Sequence, residues 1–132
     1  MPVHRLTQKN LFQILKGETL KRRAICIIKF YSNGCHLCHN LRNDYQSIAD
    51  SFSDDRNMYF FAFNIEDLTP GTDMPLNING VPTICKVKTG PIPKINILKD
   101  PSEPDKSTWY RKEEIQEFVE SPVSRPYVKP KV

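Results

Sequence analysis

Two cysteines separated by two residues, Cys35 and Cys38, are the side chains of this sequence best suited to chemistry. They follow an apolar run, residues 24–31, that is typical of a strand buried on both faces. The pattern after them predicts a helix, so Cys35 would stand at its N-terminus, where unpaired N–H groups and the helix dipole stabilise a thiolate. Two cysteines three positions apart share one helix face and can close a disulfide. We therefore predict that Cys35 is the exposed nucleophile and that Cys38 resolves the mixed disulfide.

Haem attachment is one alternative for the same residues. The segment from Cys35 to His39 matches the C-x-x-C-H pattern of c-type haem proteins, and Met58 or Met74 could be the second axial ligand. Such proteins are exported, however, and the first six residues contain no apolar segment of a secretory signal. The sequence therefore disfavours haem attachment.

Zinc binding is the other alternative, with the cysteine pair and a neighbouring histidine, His36 or His39, as ligands. A closed structural zinc site normally needs a second pair of ligands. The remaining cysteines, Cys26 and Cys85, lie far apart in apolar strands and are predicted to be inert core residues, although a bridge between them is conceivable. We expect no bound metal or cofactor.

The hydrophobic pattern predicts elements in the order β-α-β-α-β, followed by β-β-α. Strands are expected over residues 3–6, 24–31, 58–63, 81–87 and 94–98, and helices over residues 7–16, 35–52 and 111–120. The long loop before the fourth strand is expected to hold a helical turn within residues 73–78. This order indicates an α/β protein with a central mixed β-sheet flanked by helices on both faces.

A proline at the start of the fourth strand is a second unusual feature. In Gly80-Val81-Pro82-Thr83 it occupies a position where a donor to the strand ladder would be expected. Such a proline is tolerated when the Val81–Pro82 bond is cis. For the segment considered alone, an ordinary trans proline remains the alternative.

Over roughly residues 3–120 these motifs together resemble the thioredoxin family. The matching segments stand in family order: Ile28-Lys29-Phe30-Tyr31, Cys35-x-x-Cys38, Phe63-Asn64-Ile65-Glu66, Pro70-Gly71-Thr72, Gly80-Val81-Pro82-Thr83 and Ile115-Gln116-Glu117-Phe118-Val119. The resemblance implies a thioredoxin fold and a cis bond before Pro82, next to the redox pair. It also implies that Gly80, Val81, Pro82 and Thr83 cradle an incoming peptide or thiol.

The sequence departs from the family near the cysteine pair. Gly34 stands where thioredoxins carry Trp, and His36-Leu37 replaces their Gly-Pro. Lys29 occupies the strand position where many members bury an acidic residue, and Ala62 replaces the partner lysine of the next strand. A cation near a thiolate stabilises the reduced protein. We therefore expect His36 and Lys29 to tune the pair, making it more oxidising than the typical thioredoxin value of about −270 mV.

The 132 residues fit one domain, which we place at residues 1–120. Residues 121–132 form a Pro-rich basic tail that we expect to be extended or disordered. The net charge of +4 is spread along the chain, so no nucleic-acid partner is expected. No apolar stretch is long enough to span a membrane, and we expect a cytoplasmic protein.

The expected activity is thiol–disulfide exchange by the Cys35–Cys38 pair with a disulfide-bearing protein or a small thiol substrate. A further partner, a reductant or an oxidant, must close the electron-transport cycle. The alternative is a thioredoxin-fold interaction module, or a subunit of a larger complex, with dispensable redox activity. A glutathione-dependent glutaredoxin is disfavoured, because the first strands and the Lys29 segment match the thioredoxin pattern better.

Overall fold

The structure is a computed structural model and describes residues 1–19 and 23–122. Within these residues lie five strands: β1 Val3–Arg5, β2 Ile25–Tyr31, β3 Met58–Asn64, β4 Thr83–Lys88 and β5 Lys94–Ile97. The helices are α1 Gln8–Leu15, α2 His36–Ser51 and α3 Lys112–Glu120, with a short 3₁₀ helix at Ile65–Asp67. The predicted order of strands and helices is confirmed.

The strands form one mixed sheet in the order β1-β3-β2-β4-β5. β1 and β2 both run parallel to β3, whereas β4 runs antiparallel to β2 and β5 antiparallel to β4. β2 is therefore the central strand, with a partner along each edge. Its near-continuous apolar sequence follows from this position, because both of its faces are covered.

Helices cover both faces of the sheet, as predicted. On one face α1 packs with β2 side chains that include Cys26, Ile28 and Phe30. On the other face α2 and α3 pack around Ile27 of β2. Alternation along the strand directs successive residues to opposite cores, and each fully buried aliphatic or aromatic side chain contributes about 1.5–3 kcal/mol.

A buried lysine connects the sheet to the end of α3. Lys86 of β4 is only 1% exposed. Its ammonium donates to the carbonyl oxygen of Phe118 at 2.7 Å and to that of Ser121. The last carbonyls of a helix have no intrahelical donor and carry the negative end of the dipole, so a cation there stabilises α3. Burial lowers the pKa of Lys86.

The helical turn predicted within residues 73–78 is wrong. This segment is irregular, and the additional helical turn lies earlier, at Ile65–Asp67. Pro75 disfavours helical geometry at Met74, and Leu76, 1% exposed, inserts into the core on the α1 face. Both features favour an irregular segment over a helical turn at this position.

The prediction for the tail falls, from residue 123 onwards, outside the described residues. None of the helices in the described ranges combines the length and the apolarity that crossing a bilayer requires.

Candidate active site

The cysteine pair lies where β2 is followed by α2, at the carboxyl end of the parallel strands. Residues 32–34 connect Tyr31, the last residue of β2, to Cys35, the N-cap of α2. The Cys35 sulfur accepts a hydrogen bond from the Cys38 N–H at 3.1 Å, and the two sulfurs are joined in a disulfide. The first turn of α2 therefore presents a backbone donor and its positive dipole end to the sulfur predicted to ionise.

The two sulfur-bearing residues differ in exposure. Cys38 is 1% exposed, whereas Cys35 is half-buried and His36 beside it is exposed. A molecule arriving from solvent therefore meets Cys35 first. Cys26 and Cys85 are buried thiols outside this disulfide, and burial raises the pKa of Cys85, which leaves that sulfur protonated and unreactive.

A hydrogen-bond network holds the loop in front of the pair. Asn33 donates its backbone N–H to Glu66 Oε2 at 2.5 Å, and its side-chain oxygen accepts from Asn64 Nδ2 at 2.8 Å. The Asn33 carbonyl oxygen lies 2.9 Å from His39 Nε2 of α2. The loop is thus tied both to the end of β3 and to the first turns of α2.

Sequence reasoning missed the positioning role of Asn33, Asn64 and Glu66. Asn64 ends β3 and stands opposite Tyr31 of β2 in the parallel register. The carboxyl ends of parallel strands meet at one edge of a sheet, so polar residues directly after two neighbouring strands were the available signal.

Lys29 lies on the α2 side of β2 and is 6% exposed. Its Nζ is 5.1 Å from the centre of the Tyr45 ring and 5.9 Å from that of Tyr31. Lys29, Arg42 and Cys38 line one cavity of about 360 Å³. Burial first, and the charge of Arg42 second, lower the pKa of Lys29 to about 8. No carboxylate in the described ranges forms an ion pair with Lys29.

The Gly80–Thr83 segment reaches the same end of the sheet from β4. Because β4 is antiparallel to β2, with Thr83 opposite Phe30, the start of β4 adjoins the end of β2. The Val81–Pro82 peptide bond is cis, and Thr83 Oγ1 donates to the Gly80 carbonyl oxygen at 2.5 Å. The fold therefore brings the segment predicted to contact substrate and the cysteine pair to the same end of the sheet.

A cleft of about 130 Å³ accompanies this segment, lined also by Asp100 and Trp109. The loop that carries Trp109 is fastened to α2, because Asn40 Nδ2 donates to the Ser107 carbonyl oxygen at 2.8 Å. Trp109 itself is partly buried against the core on the α2–α3 face.

The described residues hold no group of three or more His, Cys, Asp or Glu side chains arranged to bind a metal ion. The site consists of a disulfide with one accessible and one buried sulfur. It lies at the N-terminus of α2, beside the ends of neighbouring strands. This arrangement suits reversible exchange between a dithiol and a disulfide.

Several solved structures share this architecture. Chloroplastic thioredoxin z has a TM-score of 0.60 at 19% identity, over 90% of this chain and 92% of that one. The thioredoxin of Malassezia sympodialis has a TM-score of 0.64 at 13% identity, over 89% of this chain and 88% of that one. The J-Trx1 fragment of ERdj5 has a TM-score of 0.57 at 20% identity, with 90% of this chain covering 52% of that one.

These identities are low, and the structural likeness by itself shows the fold, which confirms the predicted α/β thioredoxin architecture. No curated protein sequence matches this chain significantly. The family model described as Thioredoxin, however, matches residues 2–121. Because that match spans most of the 132 residues and includes the disulfide-bonded pair, the chain belongs to the thioredoxin family.

Proposed function

We propose that the protein is a thiol–disulfide oxidoreductase that exchanges its Cys35–Cys38 pair with the disulfides of proteins or small molecules. The observation that carries this proposal is the disulfide at the N-terminus of α2, with Cys35 half-buried and Cys38 buried. Membership of the thioredoxin family supports it.

Reduction of a substrate then takes two steps. The Cys35 thiolate attacks one sulfur of the substrate disulfide, and the other substrate sulfur leaves as a thiolate and takes up a proton. Cys38, as a thiolate, attacks the Cys35 sulfur of the mixed disulfide and releases the second substrate sulfur. The substrate gains two electrons and the protein becomes the disulfide seen in the structure. With an oxidised protein and a dithiol substrate the steps run in reverse.

An insulin-reduction assay with dithiothreitol tests this activity. Wild type should accelerate precipitation of the insulin chains, and Cys35→Ser should abolish the acceleration. Cys85→Ala is the matched control, because Cys85 is buried in the core on the α1 face. In Cys38→Ser the mixed disulfide should persist and be seen by mass spectrometry under non-reducing conditions. If insulin precipitates no faster with wild type than with Cys35→Ser, the oxidoreductase proposal is wrong. A partner protein that both proteins still capture would then favour the alternative function, a thioredoxin-fold interaction module.

We assign redox tuning to Lys29 and His36. Lys29 shares a cavity with Cys38 and has no carboxylate partner among the described residues, and His36 directly follows Cys35 at the surface. A positive charge near either sulfur stabilises a thiolate, hence the reduced protein, and makes the pair a stronger oxidant.

Equilibration with glutathione tests the tuning. The wild-type potential should be less negative than about −270 mV. Lys29→Asp and His36→Pro should each shift it by a few tens of millivolts to more negative values, whereas Lys9→Asp, a change at an exposed residue of α1, should not. A wild-type potential at or below −270 mV that neither site variant moves would contradict the assignment.

Gly80, Val81, Pro82 and Thr83 are proposed to contact the substrate. Their position next to the end of β2 supports this role. Val81, half-buried, is the side chain to change: Val81→Asp should raise KM for a peptide disulfide more than it lowers kcat. An unchanged KM would exclude this contact.

Cytoplasmic location, electron transport and the class of the redox partner stay predictions. Fractionation of cells that express the full-length protein tests the location. Capture by Cys38→Ser in those cells, followed by identification of the linked protein, tests the partner.

A further inference from the structure

The cavity behind the cysteine pair is bounded mainly by basic and aromatic side chains. Its volume is about 360 Å³. Lys29, Cys38 and Tyr45 are the buried lining residues, whereas Arg5 and Arg42 are exposed at its rim. We call this space the basic cavity.

Among the described residues that line the basic cavity, none has an acidic side chain. Arg5 binds Asp67, outside the lining, through contacts of 2.8 to 3.2 Å. His39 is engaged by the Asn33 carbonyl oxygen, and the Gln46 amide donates to the Met1 carbonyl oxygen and to Asp50.

Lys29 and Arg42 therefore face the space without a carboxylate within the described ranges. Burial first, and then repulsion by Arg42, lowers the pKa of Lys29. The Lys29 ammonium lies 5.1 Å from the centre of the Tyr45 ring and 5.9 Å from that of the Tyr31 ring. A ring face stabilises a cation by about 0.5–2 kcal/mol and leaves its charge in place.

The geometry points to an anion site, and we propose that the basic cavity binds a phosphate group. Arg5, Lys29 and Arg42 bring three positive charges and Asp67 one negative charge, so the local balance is +2. A phosphate group near pH 7 carries about −1.5 to −2 and offers three or more acceptor oxygens. It would place negative charge between Lys29 and Arg42 and accept charge-assisted hydrogen bonds from the ammonium and from a planar guanidinium.

This proposal goes beyond the thiol chemistry and can be tested on the oxidised protein, in which no thiol of the pair takes part. The oxidised full chain is titrated with inorganic phosphate at pH 7, with sodium chloride holding the ionic strength constant, and backbone amide resonances are followed by NMR. Saturable shifts are expected at Lys29, Arg42 and Ala62, which line the cavity. Glycerol phosphate in a parallel titration distinguishes a phosphomonoester from free phosphate as the preferred source, and acetate tests whether a single negative charge suffices.

Two substitutions place the binding at this cavity. Lys29→Met and Arg42→Gln should each raise the Kd for phosphate about tenfold, the effect of losing one charge-assisted hydrogen bond of roughly 1.4 kcal/mol. Arg56→Gln removes an exposed guanidinium outside the cavity and should leave the Kd unchanged. Saturating phosphate should also raise the pKa of Lys29, read from the pH dependence of its side-chain carbon resonances.

The proposal fails if the shifts are linear in phosphate, if chloride reproduces them, or if the Kd exceeds about 10 mM. It also fails if Arg42→Gln and Arg56→Gln bind equally well. Should Lys29→Met not fold, the Arg42→Gln comparison and the pKa of Lys29 with and without phosphate decide the question. A wild-type protein that reduces insulin but does not bind phosphate would overturn this inference and leave the oxidoreductase proposal standing.

Discussion

Replacing Lys29 with Met should make the protein more stable near neutral pH. Lys29 is 6% exposed, and burial together with the charge of Arg42 lowers its pKa from 10.5 to about 8. One pKa unit corresponds to about 1.4 kcal/mol, so holding the ammonium in the folded protein costs about 3 kcal/mol. Met keeps the apolar stem and removes the charge. We therefore expect Lys29→Met to raise the free energy of unfolding by about 3 kcal/mol at pH 7.

The sign of the pH dependence follows from the lowered pKa of Lys29. Below pH 8 both the folded and the unfolded protein carry the proton, and the cost is fully present. Between pH 8 and 10.5 the folded protein releases its proton first, so the unfolded state binds more protons and wild-type stability rises with pH. The advantage of Lys29→Met should therefore shrink to about 1 kcal/mol at pH 10.

Urea denaturation of the oxidised proteins at pH 7 and pH 10 measures these differences, in a buffer without phosphate so that the basic cavity is not filled. Lys9→Met, which changes an exposed lysine of α1, is the control and should have little effect at either pH. A Lys29→Met protein that is less stable than wild type at pH 7 would refute the reasoning. A stability difference between Lys29→Met and wild type that is the same at pH 7 and pH 10 would also refute it. In that case the Tyr45 and Tyr31 rings would be stabilising a fully charged Lys29.

Three further predictions concern the stability of the fold and the loop in front of the cysteine pair. Lys86→Met should lower the free energy of unfolding by about 1–3 kcal/mol, because the last carbonyls of α3 lose their cationic donor. Urea denaturation measures this loss, with Lys99→Met, a change at an exposed lysine, as the control. Equal stabilities of the two variants would contradict the prediction. Asn64→Ala should slow insulin reduction several-fold, because the Asn33 side chain loses its hydrogen-bond donor at 2.8 Å and the loop before Cys35 is loosened. Circular dichroism should show an intact fold, and an unchanged rate would show that the network is dispensable. Gly17→Ala should destabilise the protein by more than the roughly 1 kcal/mol expected for Gly71→Ala. Both glycines have positive φ, but of the two only Gly17 would place a Cβ 2.5 Å from a backbone oxygen. Similar losses of stability in thermal denaturation would contradict that clash.

Local patterns predicted the elements that build the site. The apolar run before Cys35, the helical spacing after it and the closing hairpin and helix each became an element within a few residues of its predicted bounds. These patterns succeed because they reflect the contacts that each segment makes with the core on one or both faces of the sheet. The turn expected within residues 73–78 is absent, because Pro75 disfavours helical geometry at Met74 and the side chain of Leu76 is buried in the core.

Lys29 shows where prediction from the sequence stops. Its position three residues before the loop that leads to the pair was visible, and so was its departure from the family pattern. A strand covered on both faces shows no alternation of apolar and polar residues, so its sequence does not say which side chains face which helix. The pairing of β2 with its neighbours and the packing of α2 decided that Lys29 faces Tyr45 and shares a cavity with Cys38.

The hydrogen bonds that hold the site have the same origin. Asn33 meets Asn64 and Glu66 because two parallel strands end at one sheet edge in a particular register, and Lys86 meets the end of α3 because that helix closes over β4. Each contact joins residues about 30 positions apart in the chain. Neighbouring residues suffice to predict the elements and to place the cysteine pair at the start of a helix, because both depend on local spacing. The charge around that pair and the hydrogen bonds that support it depend instead on which distant segments the completed core brings into contact.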